Sequence, residues 1–137
     1  MDITKKDVIK FKEGKFEGYK YYICGNPING TPLAYVSLPK NHILYNKDYF
    51  EISDINCHGG LTFSGKRFNN FVIGWDYGHC GDYRPLNKSI LDFLYPPTTL
   101  SETTGKQWTI EEIENECQEV IRQLKNVQLE WQMYGSK

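Results

Sequence analysis

Hydrophobic and polar positions change their period several times along this chain, and each change marks an element. Residues 19–24 are dense in aromatic and β-branched side chains and predict a strand. Gly25-Asn26-Pro27-Ile28-Asn29-Gly30 then supplies turn chemistry, and residues 33–38 resume the strand pattern, so the inference is a β-hairpin with Asn29-Gly30 in its turn. The first fifteen residues mix charges with Ile3, Val8, Ile9 and Phe11 too irregularly to choose between an edge strand and a short helix. Residues 39–54 are punctuated and polar, with Tyr45, Tyr49 and Phe50 interspersed, which is the composition of a long ordered loop. Such loops in small domains are often functional. Further strands are expected at 55–58 or 61–63 and at 70–76; the last carries Phe71, Val72, Ile73 and Trp75 and belongs near the middle of a sheet.

Ile90, Leu91 and Leu94 suggest a short helix over 86–95, stopped by Pro96-Pro97, with loop over 98–106. The last element is the clearest. Thr109-Ile110-Glu111-Glu112 fits a capping box, with Thr109 as N-cap and Glu112 at the third helical position. Ile110, Ile113, Cys117, Val120, Ile121, Leu124, Val127 and Trp131 then keep a helical period, giving an amphipathic helix of roughly six turns, on the order of 35 Å long. The expected class is α+β: a mostly antiparallel sheet of four or more strands packed by a long C-terminal amphipathic helix, in a single domain over 1–137. The chain carries no internal repeat or low-complexity segment.

Size and charge narrow the function classes. At 137 residues the chain is one domain by the usual size prior and needs no staples. Lys and Arg number 16 against 17 Asp and Glu, without a basic run, so the phosphate attraction behind DNA or RNA binding lacks its footprint and a nucleic-acid polymer is not an expected partner. No stretch approaches the ~20 apolar residues of a membrane span, and the first thirty residues lack the apolar core of a secretion signal. The expectation is a cytoplasmic protein without a membrane partner. Cys24, Cys57, Cys80 and Cys117 stand singly with no C-x-x-C pair, which signals neither a zinc site nor a disulfide framework, and are read as reduced thiols, mostly buried. Aromatics make up 15% of the chain, ten of them Tyr, which suits a small-molecule pocket, a homo-oligomer interface or an ordinary core with amphipathic edges.

Candidate chemistry concentrates in residues 55–82, which hold two of the three histidines and six of the twelve glycines. In His58-Gly59-Gly60 two glycines allow successive backbone N–H groups to point at one concavity, a way to hold an anion, although a plain tight turn has the same composition. Asp76-Tyr77-Gly78-His79-Cys80-Gly81-Asp82 follows the most strand-like run. Its D-x-x-H-x-x-D spacing allows a metal set with His58, acid–base work, or hydrogen bonds to ribose hydroxyls and a base edge. The plainer alternatives are a loop-capping Asp, a buried His79 satisfied by a carbonyl, and Cys80 as a small buried hydrophobe. His42, isolated in the long loop, reads as peripheral. Ser64, Lys66 and Arg67 suit a phosphate near the glycine turn or a solvated loop face. Trp75 and Phe63 read as core, Tyr77 and Tyr83 as stacking surfaces. The candidate ligand-binding set is His58, Gly59, Gly60, Ser64, Asp76, Tyr77, His79 and Asp82, with no metal ligand among them and no cofactor expected. An enzyme would draw its catalytic groups from His58, His79, Asp76 and Asp82.

The run Ala34-Tyr35-Val36-Ser37-Leu38-Pro39-Lys40-Asn41-His42-Ile43-Leu44-Tyr45, then His58-Gly59-Gly60-Leu61-Thr62-Phe63-Ser64, then Ile73-Gly74-Trp75-Asp76-Tyr77-Gly78-His79-Cys80-Gly81-Asp82, resembles a family of small phage and prophage proteins, most of them without an assigned function. The resemblance spans about residues 33–124. Asn41 and Ile43 flank His42 where relatives tend to have Gly and Pro, and Tyr77 replaces a frequent Cys, so neither the loop shape nor a thiol carries over. A small phage-type protein with a polar, glycine-lined pocket is similar to anti-defence proteins that bind or destroy nucleotide immune signals, such as cyclic ADP-ribose derivatives and cyclic dinucleotides. That analogy implies phosphates at the His-Gly-Gly turn, ribose hydroxyls at the aspartates and a base at the tyrosines. The leading expectation is a binder that sequesters such a nucleotide. The alternatives are a phosphodiesterase or related hydrolase, with His/Asp acid–base chemistry or a divalent metal, and a structural or host-factor-binding phage protein.

Overall fold

A computed structural model describes residues 8–28, 30–78 and 108–134. Ile9–Phe16 forms β1, Tyr19–Gly25 β2, Pro32–Ser37 β3, Phe63–Arg67 β4 and Asn70–Asp76 β5, and Ile110–Tyr134 forms the helix α1. The strands make one antiparallel sheet in the order β1-β2-β3-β5-β4, and the helix packs on one of its faces. The expected α+β class is what forms, and the described part of the undecided N-terminal segment, from Ile9 on, is the edge strand β1. The helix suggested at 86–95 lies outside the described residues.

Two-residue turns set the outer hairpins. Glu17 and Gly18 (φ 52° and 88°) join β1 to β2, and Phe68 and Asn69 (φ 57° and 62°) join β4 to β5, both pairs left-handed as the twist of a tight hairpin demands. Phe68 is a bulky residue in a region that disfavours side chains; its ring stacks on Tyr22 at 4.1 Å and 16°, which holds the turn in place. The β2–β3 connection is the hairpin expected from sequence. Asn26 N–H donates to Thr31 O (2.8 Å) and Gly30 N–H to Asn26 O (2.8 Å), with Gly30 at φ 76°. Asn29 is outside the described residues.

Strand alternation assigns two faces. Tyr21, Ile23, Ala34, Val36, Phe71, Ile73 and Trp75 face the helix and pack with its Ile113, Cys117, Val120, Ile121 and Leu124. Tyr22, Cys24, Tyr35 and Val72 form the core of the opposite face with Leu33, Phe63 and Phe68. Position 74, on that second face, is a glycine because Tyr35 occupies the space a side chain would need: a Cβ would sit 2.6 Å from the ring. β5 has a neighbour on each side, as expected for its apolar run. The strand suggested at 55–58 or 61–63 is displaced to Phe63–Arg67, so Ser64, Lys66 and Arg67 are strand residues and not loop. The shift follows from pairing: β4 takes its register from β5 across the Phe68-Asn69 turn, with Arg67 opposite Asn70 and Phe63 opposite Gly74.

Between β3 and β4 the chain runs as a long loop, residues 38–62, holding only the short 3-10 turn Tyr49–Glu51. Leu38, Leu44, Ile52 and Ile55 anchor this strap in the helix-side core. The helix in turn grips the strap backbone with its side chains. Gln128 donates to Asn41 O (3.2 Å) and accepts from Ile43 N–H (2.8 Å). Gln123 does the same at Asn56 (2.9 and 2.6 Å), and Glu116 accepts from His58 N–H (2.8 Å). An amide with one donor and one acceptor can satisfy a strap that has no ladder partner of its own.

The capping box forms as expected: Thr109 N–H donates to Glu112 Oε1 (3.0 Å) and Glu112 N–H to Thr109 Oγ1 (3.1 Å). The helix runs 25 residues, about 37 Å at its usual rise. Burial ends at Leu124. Beyond it Leu129, Trp131, Met133 and Tyr134 are exposed. Cys24 and Cys117 are buried, Cys57 half-buried, and all three are free thiols. Among the described residues no helix is long and apolar enough to cross a membrane.

Candidate functional site

Tyr77 leaves the end of β5 on the helix side, fixed by its N–H bond to Pro32 O (3.0 Å). Its ring is 1% exposed. Trp75 Nε1–H donates to the Tyr77 hydroxyl oxygen (3.0 Å), so the hydroxyl hydrogen is directed to the Glu116 carboxylate, to which it makes a short bond. Burial, reinforced by the Glu116 bond, drives the Tyr77 phenol far above its ordinary range, and it stays a protonated donor.

His58 covers this arrangement. Its ring stacks on Tyr77 at 4.9 Å and 7°, and Trp108, just before the helix N-cap, tilts against both at 4.9 and 5.1 Å. His58 is half-buried, whereas Gly59 and Gly60 are exposed. The two glycines take φ 70° and 84°, and Gly60 N–H closes the turn on Cys57 O (3.0 Å). Left-handed values at two successive residues explain the Gly-Gly pair. The anion at the first N–H of this turn is the protein's own: Glu116 takes His58 N–H with one oxygen and the Tyr77 hydroxyl with the other. A ligand phosphate at that N–H would have to displace a carboxylate already doubly bound.

Asp76 belongs to the other face of the sheet. It pairs with Leu33 in the register, and its carboxylate accepts from Thr62 Oγ1 (3.2 Å) and from Gly78 N–H (3.0 Å). The second bond is the self-capping of an Asx turn, and it shapes the exit from β5. Ser64, opposite Ile73, shares the helix-side face. Its register position is four residues short of Tyr77, about 13 Å along the strand. The structure therefore gathers His58, Gly59, Gly60 and Tyr77, sets Asp76 on the reverse face beside them, and leaves Ser64 further down the sheet. His79, Asp82, Cys80 and Tyr83 lie outside the described residues.

Three participants were absent from the sequence reading: Glu116, Trp108 and Trp75 as a donor. Signals for two of them existed. Glu116 lies three residues after Ile113 and directly before Cys117, at the border of the helix's apolar stripe, and Trp108 holds the position before the N-cap where a hydrophobic residue packs back on the helix. His42 also departs from expectation. It is 4% exposed and bonded through both ring nitrogens.

Nucleophilic chemistry finds little support among the described groups. Burial, then the Glu116 charge, pushes the Cys57 thiol up to about 12, leaving it protonated near neutral pH. Burial drives the Cys117 thiol well above its ordinary range. Among the described residues no group of three His, Cys, Asp or Glu side chains is placed to hold a metal ion. No family model, no curated protein and no solved structure matches the chain.

Proposed function

We propose that this protein binds a nucleotide-derived small molecule beside the His58–Gly60 turn, where that turn meets the exit of β5 and the start of α1, and retains it without chemical change. The observation that carries the reading is the His58 ring, half-buried and bedded flat on Tyr77 with Trp108 alongside, next to the exposed Gly59-Gly60 backbone. An imidazole bedded on a buried aromatic keeps one orientation, so a flat ligand that meets it at this turn costs little side-chain entropy. The exposed Gly59 and Gly60 allow a ligand close to the backbone.

Glu116 adds a constraint on pose. With a carboxylate against His58 N–H, the ligand's phosphates lie away from that N–H, and its base or another flat portion lies on the His58 side. This replaces the phosphate cradle expected from the sequence. The biological role we propose is sequestration of a host immune signal, such as a cyclic ADP-ribose derivative or a cyclic dinucleotide, by a phage-type protein. The motif resemblance around His58-Gly59-Gly60 and residues 73–82 supports that role.

The test is incubation with a panel of cyclic nucleotides and ADP-ribose derivatives, with and without chelator, followed by removal of free ligand, heat release and chromatography. Wild type should return one ligand intact, equally well in chelator, and His58→Ala should return at least tenfold less while keeping its far-UV circular dichroism. Altered ligand, particularly with added Mg²⁺, Mn²⁺ or Zn²⁺, would establish the hydrolase in its place. Retention of no panel member would refute nucleotide binding.

A further inference from the structure

The strap of residues 38–62 has a fastening that the ligand reading does not use. His42 lies between the strap and α1, 4% exposed. Leu44 N–H donates to His42 Nδ1 (3.0 Å), and His42 Nε2 meets Leu124 O at 2.9 Å. A backbone N–H only donates, so Nδ1 is the acceptor nitrogen; a carbonyl only accepts, so Nε2 carries the hydrogen. The neutral imidazole with hydrogen on Nε2 is the one form that makes both bonds. A second proton would land on Nδ1, turn the Leu44 contact into two donors facing each other, and place a charge in a site almost closed to water.

We propose that His42 is a proton-operated latch: with the ring neutral it locks the 40–46 part of the strap to the helix, and on protonation the ring leaves its site and that part of the strap opens while the sheet and helix remain folded. The fastenings around it suit a local opening. Next to the latch the strap is held by the Leu44 side chain in the core and by the Gln128 amide at Asn41 and Ile43, and further along by Ile52 and Ile55, Gln123 at Asn56 and Glu116 at His58, so the segment near His42 can detach without the far end.

The titratable and charged groups on the elements around His42 are few. Tyr19 on β2 presents its ring edge-on at 6.3 Å, and burial pushes its phenol up, so it is neutral throughout the acid range. Tyr45 lies on the strap itself. Lys125 on α1 is ion-paired with Glu17 of the β1–β2 turn at 2.6 Å, and that bond holds the Glu17 carboxyl below its usual range. Among the described residues no carboxylate makes an ion pair with His42 to hold a proton on it. Burial accordingly lowers the His42 pKa, outweighing its bond to Leu124. A free imidazole titrates at about 6.5, so opening takes up a proton below that value. The latch is fully closed above about pH 6.5, and the opening constant rises by up to about tenfold per pH unit until the latched pKa is reached.

Hydrogen exchange of the full-length chain, read by mass spectrometry on the peptide covering residues 40–46 and corrected for intrinsic rates, tests this. Between pH 7.5 and 5.5 the protection of that peptide should fall about tenfold in wild type while peptides from β3 and β5 keep theirs. His42→Gln offers an acceptor and a donor that do not titrate, and its protection should not change with pH. Should His42→Gln fail to fold, NMR of wild type decides: the Leu44 amide shift must follow the His42 ring titration and not that of His58. Unchanged protection in wild type, an equal fall in folded His42→Gln, or opening that tracks only carboxylate titration near pH 4 would each overturn the latch.

Discussion

Glu116 is the side chain on which the structure makes its sharpest prediction. Its carboxylate joins three elements: the strap at His58 N–H, the sheet through Tyr77, and the helix that carries it. Glu116→Ala strands the Tyr77 hydroxyl hydrogen, because the hydroxyl oxygen already accepts from Trp75, and a buried unsatisfied donor costs about 1–3 kcal/mol. The charge-assisted bond from the half-buried His58 N–H adds about 1.5–2 kcal/mol, the lower part of its range because water can reach it. The expected loss is about 2.5–5 kcal/mol, a large share of the stability of a small domain. Glu116→Gln keeps one acceptor oxygen for two donors and should lose only about 1–2 kcal/mol. Tyr77→Phe leaves the Trp75 N–H without its acceptor and should lose about 1–3 kcal/mol. Because Tyr77 and Glu116 share a bond, the double variant Tyr77→Phe/Glu116→Ala should be destabilised by at least about 1 kcal/mol less than the sum of the singles. Urea unfolding followed by circular dichroism at pH 7 reads all four values, with an unchanged m-value as the check on two-state behaviour. A Glu116→Ala protein within about 0.5 kcal/mol of wild type, or a strictly additive cycle, would refute the network as the tie between strap, sheet and helix.

Three further sets of variants probe the frame around it. Thr109→Ala removes a reciprocal cap and should lower stability by about 0.5–2 kcal/mol in the same urea assay, with Glu112→Ala showing a loss of similar sign. Gly74→Ala would set a methyl 2.6 Å from Tyr35, and overpacking there should cost about 1–3 kcal/mol, recovered in part by Tyr35→Ala in the same chain. Leu124→Ala empties a fully buried position beneath the helix and should lower stability by about 2–5 kcal/mol, while Leu124→Asp should abolish the folded circular dichroism spectrum; a Leu124→Asp protein that melts like wild type would show that the helix does not pack on the sheet as described.

How much of this was legible beforehand follows from where each signal resides. The helix was readable because both of its signals are local: a cap needs residues three apart, and an apolar stripe repeats every three or four positions. Thr109, Glu112 and the run from Ile113 to Leu124 stand where the sequence put them. The β2–β3 hairpin and β5 were readable for the same reason, since aromatic and β-branched runs bounded by turn residues carry their own strand preference. β1 was ambiguous because an edge strand faces water along much of its length and shows no clean alternation. Ser64 to Arg67 resembled a loop because a glycine and two basic residues weaken local preference, and only pairing with β5 makes them a strand.

The site divides in the same way. His58, Gly59, Gly60 and Tyr77 were identified by composition alone, since glycine pairs and a histidine beside apolar runs are conspicuous in sequence. Their meaning was settled elsewhere in the chain. Glu116, fifty-eight residues from His58, occupies the anion position of the glycine turn, and Leu124, eighty-two residues from His42, converts a histidine that read as peripheral into a buried latch. A residue type announces which hydrogen bonds it can make, but its partner is chosen by three-dimensional packing that brings distant segments together, and no local period encodes that choice. Sequence by itself determined the long helix, the β2–β3 hairpin, β5, the class of the fold and the stretch where polar chemistry gathers. The tertiary structure decided which face each side chain serves and which donor meets which acceptor, because those depend on register across the sheet and on the docking of helix and strap.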